Sequence, residues 1–321
     1  MAAYLETEGV MTRISAAAAT CAAVVLALAG SPAAAQQDPV ATFRTGVELV
    51  RISAVVRDDE GRFVRDLSAA DFEVLDEGSP RRIADFRHDS ADVSIAMLFD
   101  VSGSMESLLP VAREAATHLL SWLDEARDEA AIYTFDTRLD EVAPFTRGVK
   151  RLPEQLSSLT PFGATSLYDA IARTAERLDT YEGRRRAVVV FTDGHDNASR
   201  LTPSEVSGIA SAIDVPVYVV AVVARIDDPE NGYESPYRST MGGQLSNLAS
   251  WTGGHAFVAA SAARRSTAAR QIVDELRHQY LIAFESSDQA GWHRLVVRSR
   301  GKGLVVRARS GYFAGQSRPV S

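Results

Sequence analysis

The stretch Phe99-Asp100-Val101-Ser102-Gly103-Ser104-Met105-Glu106-Ser107-Leu108 lies where an apolar run, Val93 to Phe99, hands over to a helical pattern that begins near Ser107. That run carries no polar alternation, as expected of a strand covered on both faces. Asp100, Ser102 and Ser104 then occupy alternate positions in what should be an extended turn, with Gly103 permitting tight curvature. The junction predicts a buried strand whose end presents one carboxylate and two hydroxyls at the start of a helix.

Working outward, the same rhythm recurs. Apolar strands are expected at Val93–Phe99, Ala130–Phe135, Ala187–Phe191 and Val215–Val223, with a short one at Ala256–Val258. Helical stretches separate them at Ser107–Ala126, Ser166–Tyr181, Pro203–Ile213, Gly243–Trp251 and Arg264–His278. Such alternation implies an α/β, doubly wound and mostly parallel sheet, in which functional groups gather at the carboxyl ends of the strands. Before it, Val50, Ile52, Ala54 and Val56 alternate up to a turn signal at Asp58-Asp59-Glu60-Gly61, and Phe72, Val74 and Ile83 follow. After it come strands at Gln279–Phe284, Trp292–Arg298 and Leu304–Arg309. Neither terminal set has enough strands to close a sandwich alone, so the expectation is one small β-sandwich built from both, with the α/β domain inserted between. The expected divisions are residues 1–35, a signal peptide; 36–90, an amino-terminal β module; 91–262, the α/β domain; and 263–321, the last helix and the carboxyl-terminal strands.

The bulk properties fit this picture. The chain has 321 residues, 46% hydrophobic and 24% charged, ordinary values for a globular protein with a sizeable core. A formal net charge of -8 argues against nucleic acid as a partner. Arg13 precedes an alanine-rich apolar run, Ile14 to Gly30, and Ala33 and Ala35 then sit at the small-residue positions of an A-x-A cleavage site. This reads as a secretory signal cleaved after Ala35, with Met11 an alternative start because Glu6 and Glu8 spoil a positive leader. The run is short of the roughly 20 residues a membrane span needs, so no span is expected after cleavage. The single cysteine, Cys21, lies inside that run, so a mature chain would have no disulfide, no thiol nucleophile and no Cys-ligated zinc. The expected location is the periplasm, cell envelope or extracellular space.

Oxygen-only donors suit a hard divalent cation, and magnesium in particular takes few carboxylates and keeps waters. Asp100, Ser102 and Ser104 are such a set, although a helix cap with two bystanders reads equally from them. Two further loops add to it. Asp193, in Val190-Phe191-Thr192-Asp193-Gly194-His195, ends another buried strand. Thr165, in Pro161-Phe162-Gly163-Ala164-Thr165-Ser166, lies in a glycine-containing loop just before a helix. All three loops should lie on one face of the sheet.

The pattern D-x-S-x-S, then a loop threonine, then F-T-D-G resembles the von Willebrand factor type A domain with its metal-ion-dependent adhesion site, over roughly residues 91 to 260. The flanking Leu67, Asp71, Phe72 and Val74, with Gly311-Tyr312-Phe313 at the end, also resemble bacterial exported proteins of the acidobacterial-type group of that family. The resemblance implies that Ser102 and Ser104 bind the cation directly, that Thr165 does so when a ligand is engaged, and that Asp100 and Asp193 act chiefly through coordinated water. It implies Mg2+ or Mn2+, with Ca2+ less favoured, and a partner protein offering a Glu or Asp carboxylate to the under-neutralised ion.

The long segment from Arg225 to Met241 should leave the same face, where Tyr233, Tyr237 and Arg238 would supply rim contacts to a partner. His195 and Asp196 invite a metal-dependent hydrolase reading, but a polar rim is the simpler one. A serine-hydrolase elbow, G-x-S-x-G, is absent, and a haloacid-dehalogenase-like phosphotransferase would need an aspartate where Ser102 stands. The expectation is a non-enzymatic, exported, cation-dependent protein-binding module for adhesion or scaffolding. A structural envelope protein with a vestigial site is the alternative.

Overall fold

The computed structural model describes residues 49–88, 91–178, 185–223 and 241–315. The expected signal segment and the loop carrying Tyr233, Tyr237 and Arg238 lie outside the described residues. Strands β1 (Leu49–Arg57), β2 (Phe72–Asp76), β3 (Ser79–Arg81) and β4 (Ile83–Arg87) come first. The α/β layers follow as β5 (Val93–Asp100), α1 (Leu109–Trp122), β6 (Glu129–Phe135), β7 (Leu139–Arg147), α2 (Gln155–Ser158), α3 (Leu167–Leu178), β8 (Arg185–Thr192), α4 (Pro203–Ala212) and β9 (Val217–Ala221). A π-helical turn, Met241–Leu245, then runs into α5 (Ser246–Trp251), followed by β10 (Ala256–Val258) and α6 (Ala262–Arg277). The chain closes with β11 (Tyr280–Glu285), β12 (Gly291–Ser299), β13 (Val305–Ala308) and β14 (Gly311–Ala314).

The central sheet has the order β10-β9-β8-β5-β6-β7 and is parallel except for β7. Every residue of β5 is buried. Its side chains divide by parity. Val93, Ile95, Met97 and Phe99 join the core formed with α1 and α6, whereas Ala96 and Leu98 join the core with α3, α4 and α5. A strand wetted on neither face has no polar alternation to show, which is why its sequence is a continuous apolar run.

The terminal strands form two four-stranded antiparallel sheets, β13-β1-β11-β4 and β14-β12-β2-β3. Each sheet mixes strands from both ends of the chain: β1 pairs β11 and β13, while β12 pairs β2 and β14. Their facing sides share one core that includes Ile52, Phe72, Tyr280, Phe284 and Tyr312. The doubly wound unit is inserted between β4 and β11, so the expected architecture stands.

Several expected bounds shift. The first helix ends at Trp122 instead of Ala126, because the Asp128 carboxylate accepts from the backbone N–H of Asp124 and Asp124 in turn caps Ala126 and Arg127, a turn that competes with the helix. The strand expected from Val215 starts at Val217, because Pro216 has no N–H to give the ladder. The antiparallel edge strand β7 and the short β14 were not expected from sequence.

Candidate metal centre

In the central sheet the chain runs from β5 outward to β6 and β7, then returns to β8 on the other side of β5. Strand order therefore reverses between β5 and β8. A crevice at the carboxyl ends of strands flanking such a reversal is where open α/β sheets place ligands. Asp100 is the last residue of β5, and Asp193 immediately follows β8, whose Phe191 pairs with Phe99 in register. Topology thus brings these two aspartates to one place.

Local hydrogen bonding fixes each loop. The Asp100 carboxylate accepts from the backbone N–H of Ser102 at 3.0 Å, a turn that holds Ser102 at the head of a short 3-10 segment, Gly103–Met105. The Ser102 and Ser104 hydroxyls lie 3.3 Å apart. The Thr192 hydroxyl donates to the other Asp100 oxygen at 2.7 Å and accepts from the Gly194 N–H at 3.0 Å. One hydroxyl therefore couples the ends of β5 and β8.

The second loop is stitched to both others. The Phe162 N–H donates to the Val101 carbonyl at 2.9 Å, and the Gly103 N–H donates to the Gly163 carbonyl at 3.1 Å. Thr165 donates its N–H to the Asn197 side-chain oxygen at 2.8 Å, and its carbonyl accepts from the N–H groups of Asn197 and Ala198. The open N–H groups of Tyr168 and Asp169 at the start of α3 are met by Asp196 and Ser199 of the third loop. Asp100, Ser102, Thr165 and Asp193 are buried, and Ser104 is exposed. The structure brings together the loops bearing the five residues singled out from sequence.

Thr192, Asn197 and Ser199 were missed by the sequence reading. Thr192 stood inside the quoted F-T-D-G stretch, where its spacing to Asp193 carried no donor signal. Asn197 and Ser199 act across loops on backbone groups, and linear spacing holds no trace of that.

The donor set is one a hard cation fits. Burial pushes the Asp100 carboxyl up from 3.8 to about 6; hydrogen bonds from Ser102 and Thr192 oppose the rise, and the neighbouring Asp193 charge adds to it. Neither aspartate forms an ion pair with a Lys or Arg among the described residues; His195, half exposed, has its Nδ1 3.1 Å from an Asp193 oxygen. Two buried carboxylates at adjacent strand ends, with hydroxyls beside them and no Lys or Arg paired to them among the described residues, leave a local deficit that a divalent ion would fill. Among the described residues there is no group of three or more His, Cys, Asp or Glu side chains placed to hold a metal.

Residues 95–195 match the family model for the von Willebrand factor type A domain. No curated protein matches the chain. Among solved structures it is similar to an aerotolerance-related membrane protein from Bacteroides fragilis NCTC 9343, at 20% identity over 57% of this chain and 98% of that one, with a TM-score of 0.46. It is also similar to BatB from Bacteroides thetaiotaomicron, at 20% identity over 57% of this chain and 98% of that one, TM-score 0.45. A von Willebrand factor type A protein from Catenulispora acidiphila aligns at 12% identity over 85% of this chain and 76% of that one, TM-score 0.45. The matched segment runs from β5 to His195 and so includes Asp100, Ser102, Ser104, Thr165 and Asp193: the chain carries a von Willebrand factor type A domain.

Proposed function

We propose that the protein is an exported, divalent-cation-dependent binding module that holds a partner protein through an acidic side chain. Ser102, Ser104 and Thr165 would hold the ion directly, and Asp100 and Asp193 would hold it through its waters. Mg2+ or Mn2+ is favoured over Ca2+, because hydroxyls and few carboxylates suit a small hard ion that keeps its waters. Bound there, the ion supplies an electrophilic position for an oxygen from outside, which a Glu or Asp of the partner would fill. The observation that carries the reading is the pair of buried aspartates at the strand-order reversal, with no Lys or Arg paired to them among the described residues. Domains of this type are protein-interaction modules, and the reading is of a binding protein and not an enzyme. Among the described residues no helix is long and apolar enough to cross a membrane. Export rests on the amino-terminal leader, and sequencing of the exported protein should then begin at Gln36.

Thermal unfolding with magnesium against chelator tests the centre. A ligand that binds only the folded state stabilises by about 2.7 kcal/mol at a hundredfold excess over its Kd, which is several degrees in Tm. Wild type should show that rise and Ser102→Ala should not; no rise in wild type sinks the reading. Capture of a partner from envelope extract in magnesium, lost with chelator and with Asp100→Ala, tests the second half.

A further inference from the structure

The carboxylate-capturing ion does not exhaust the surface around the centre. Phe162 is the most exposed of the large apolar side chains among the described residues, at 83%. It stands three residues before Thr165 in the second loop. Of the other apolar residues of that neighbourhood, Val101, Met105 and Ala164 are buried or half-buried, and Leu159 is 38% exposed, less than half as much as Phe162. A phenyl ring left in water forfeits a large burial gain that a partner could recover.

Its mount is fixed. The Phe162 N–H is bonded to the Val101 carbonyl, and the next residue, Gly163, accepts from the Gly103 N–H. Val101 and Gly103 flank Ser102, so the ring is carried on backbone tied to both sides of a cation-binding residue. Gly163 has φ +88, a left-handed conformation that side chains resist, and it turns the chain between the ring and Thr165. A phenylalanine has only two side-chain torsions to lose on contact, so a ring on a fixed mount is a low-entropy anchor. By contrast, the exposed Trp292 and Phe313 pack on each other at 5.2 Å, so part of each ring already has a partner.

Resting on the cation reading above, we propose that Phe162 is an apolar anchor of the binding face, and that the segment it fits is a peptide stretch in which the acidic residue is flanked by an aliphatic side chain. The acidic group goes to the ion and the aliphatic one covers the ring. Charge sets the first half, because the centre draws an anion. Continuity sets the second, because the loop that carries the ring is bonded to the residues on both sides of Ser102. An apolar ring beside a cation also disfavours an acidic site flanked by further charge, so the surface selects within acidic partners.

The test uses the full protein and three probes, followed by ligand-detected NMR in saturating magnesium or in chelator: the capped peptides Gly-Glu-Gly, Leu-Glu-Leu and Leu-Gln-Leu. Wild type should bind both glutamate peptides only with magnesium, and Leu-Glu-Leu about tenfold more tightly, the gain expected from covering a few methylenes. Phe162→Ser should leave Gly-Glu-Gly binding unchanged and reduce the leucine gain to less than about twofold. Phe162→Leu should keep most of it, and Leu-Gln-Leu should not bind. If Leu-Glu-Leu gains nothing in wild type, or gains as much in Phe162→Ser, the anchor is overturned while the cation reading stands. If Gly-Glu-Gly shows no magnesium dependence in wild type, the cation reading fails and the anchor falls with it.

Discussion

Asp100 concentrates the chemistry of the centre in one side chain. It is fully buried at the end of β5, its two oxygens are already engaged by Ser102 and Thr192, and burial holds its carboxyl up at about 6. Two consequences have definite signs. First, a proton and a cation compete for the same group, so magnesium affinity should be flat above pH 6 and fall toward one decade per unit below it. Second, a carboxyl whose folded-state value lies above its unfolded 3.8 makes the cation-free protein less stable when ionised. That cost is fully present above about pH 6 and is relieved as pH falls toward 3.8; two units correspond to roughly 3 kcal/mol. Asp100→Asn, the neutral isostere, should therefore be more stable than wild type in chelator at pH 8, with the gap closing by pH 4. Half-buried His88 and His278 and surface-exposed His255, whose values are lowered chiefly by desolvation, contribute in the opposite direction, losing stability as pH falls through 6.5, but they are common to both proteins and cancel in the difference. Urea unfolding at the two pH values reads this directly; a gap independent of pH would mean that water reaches the carboxylate.

At the level of single elements, tight packing at the parallel edge of the sheet leads to a sharper expectation. Gly254 precedes β10, donates its N–H to the Ala249 carbonyl at 2.8 Å, and lies so close to β9 that an added Cβ would overlap the carbonyl and carbonyl carbon of Val217. That neighbour is backbone and has no rotamer to yield. Gly254→Ala should cost about 3 kcal/mol or more in urea unfolding, and a loss below about 1 kcal/mol would mean that β10 shifts freely. The sequence showed β5, β6 and β8 well because strands buried on both faces are unbroken apolar runs. It concealed β7, since Leu139–Arg147 is a half-exposed edge with Asp140, Glu141 and Pro144 in it, and its polar character reads as loop. It concealed β14 because four residues carry too little pattern. The five candidate ligands were legible for a related reason: each sits at a strand end or helix start, where the local signal is strong. Asn197 and Thr192 were not, because their roles exist only once separate loops meet.

Across the whole molecule, the ties between the α/β unit and the sandwich gather at one end. Arg185, at the start of β8, donates to the Gln279 carbonyl just before β11. Asp214, shortly before β9, accepts from the N–H and hydroxyl of Ser53 in β1 and lies 3.7 Å from Arg309. The Ser310 N–H donates to the Trp251 carbonyl at the end of α5. All of these lie toward the amino ends of the parallel strands, at the end of the sheet opposite Asp100 and Asp193. Glu275 adds an ionic tie: almost fully buried near the end of α6, it bonds Arg57 of β1 at 3.0 Å with one oxygen and Arg307 of β13 with the other. Removing one member of a buried ionic group leaves the rest uncompensated, which costs about 3–5 kcal/mol, whereas replacing the whole group with apolar residues of similar volume is often neutral or better. Glu275→Ala should therefore lower the unfolding free energy by that amount. Glu275→Met combined with Arg57→Leu and Arg307→Leu should recover most of it. Magnesium affinity should change by less than about twofold in both, because the tie is at the far end of the strands from the centre. A triple variant as unstable as Glu275→Ala would mean that the grip depends on charge geometry and not on burial, and a large change in magnesium affinity would mean that the two ends of the sheet are coupled.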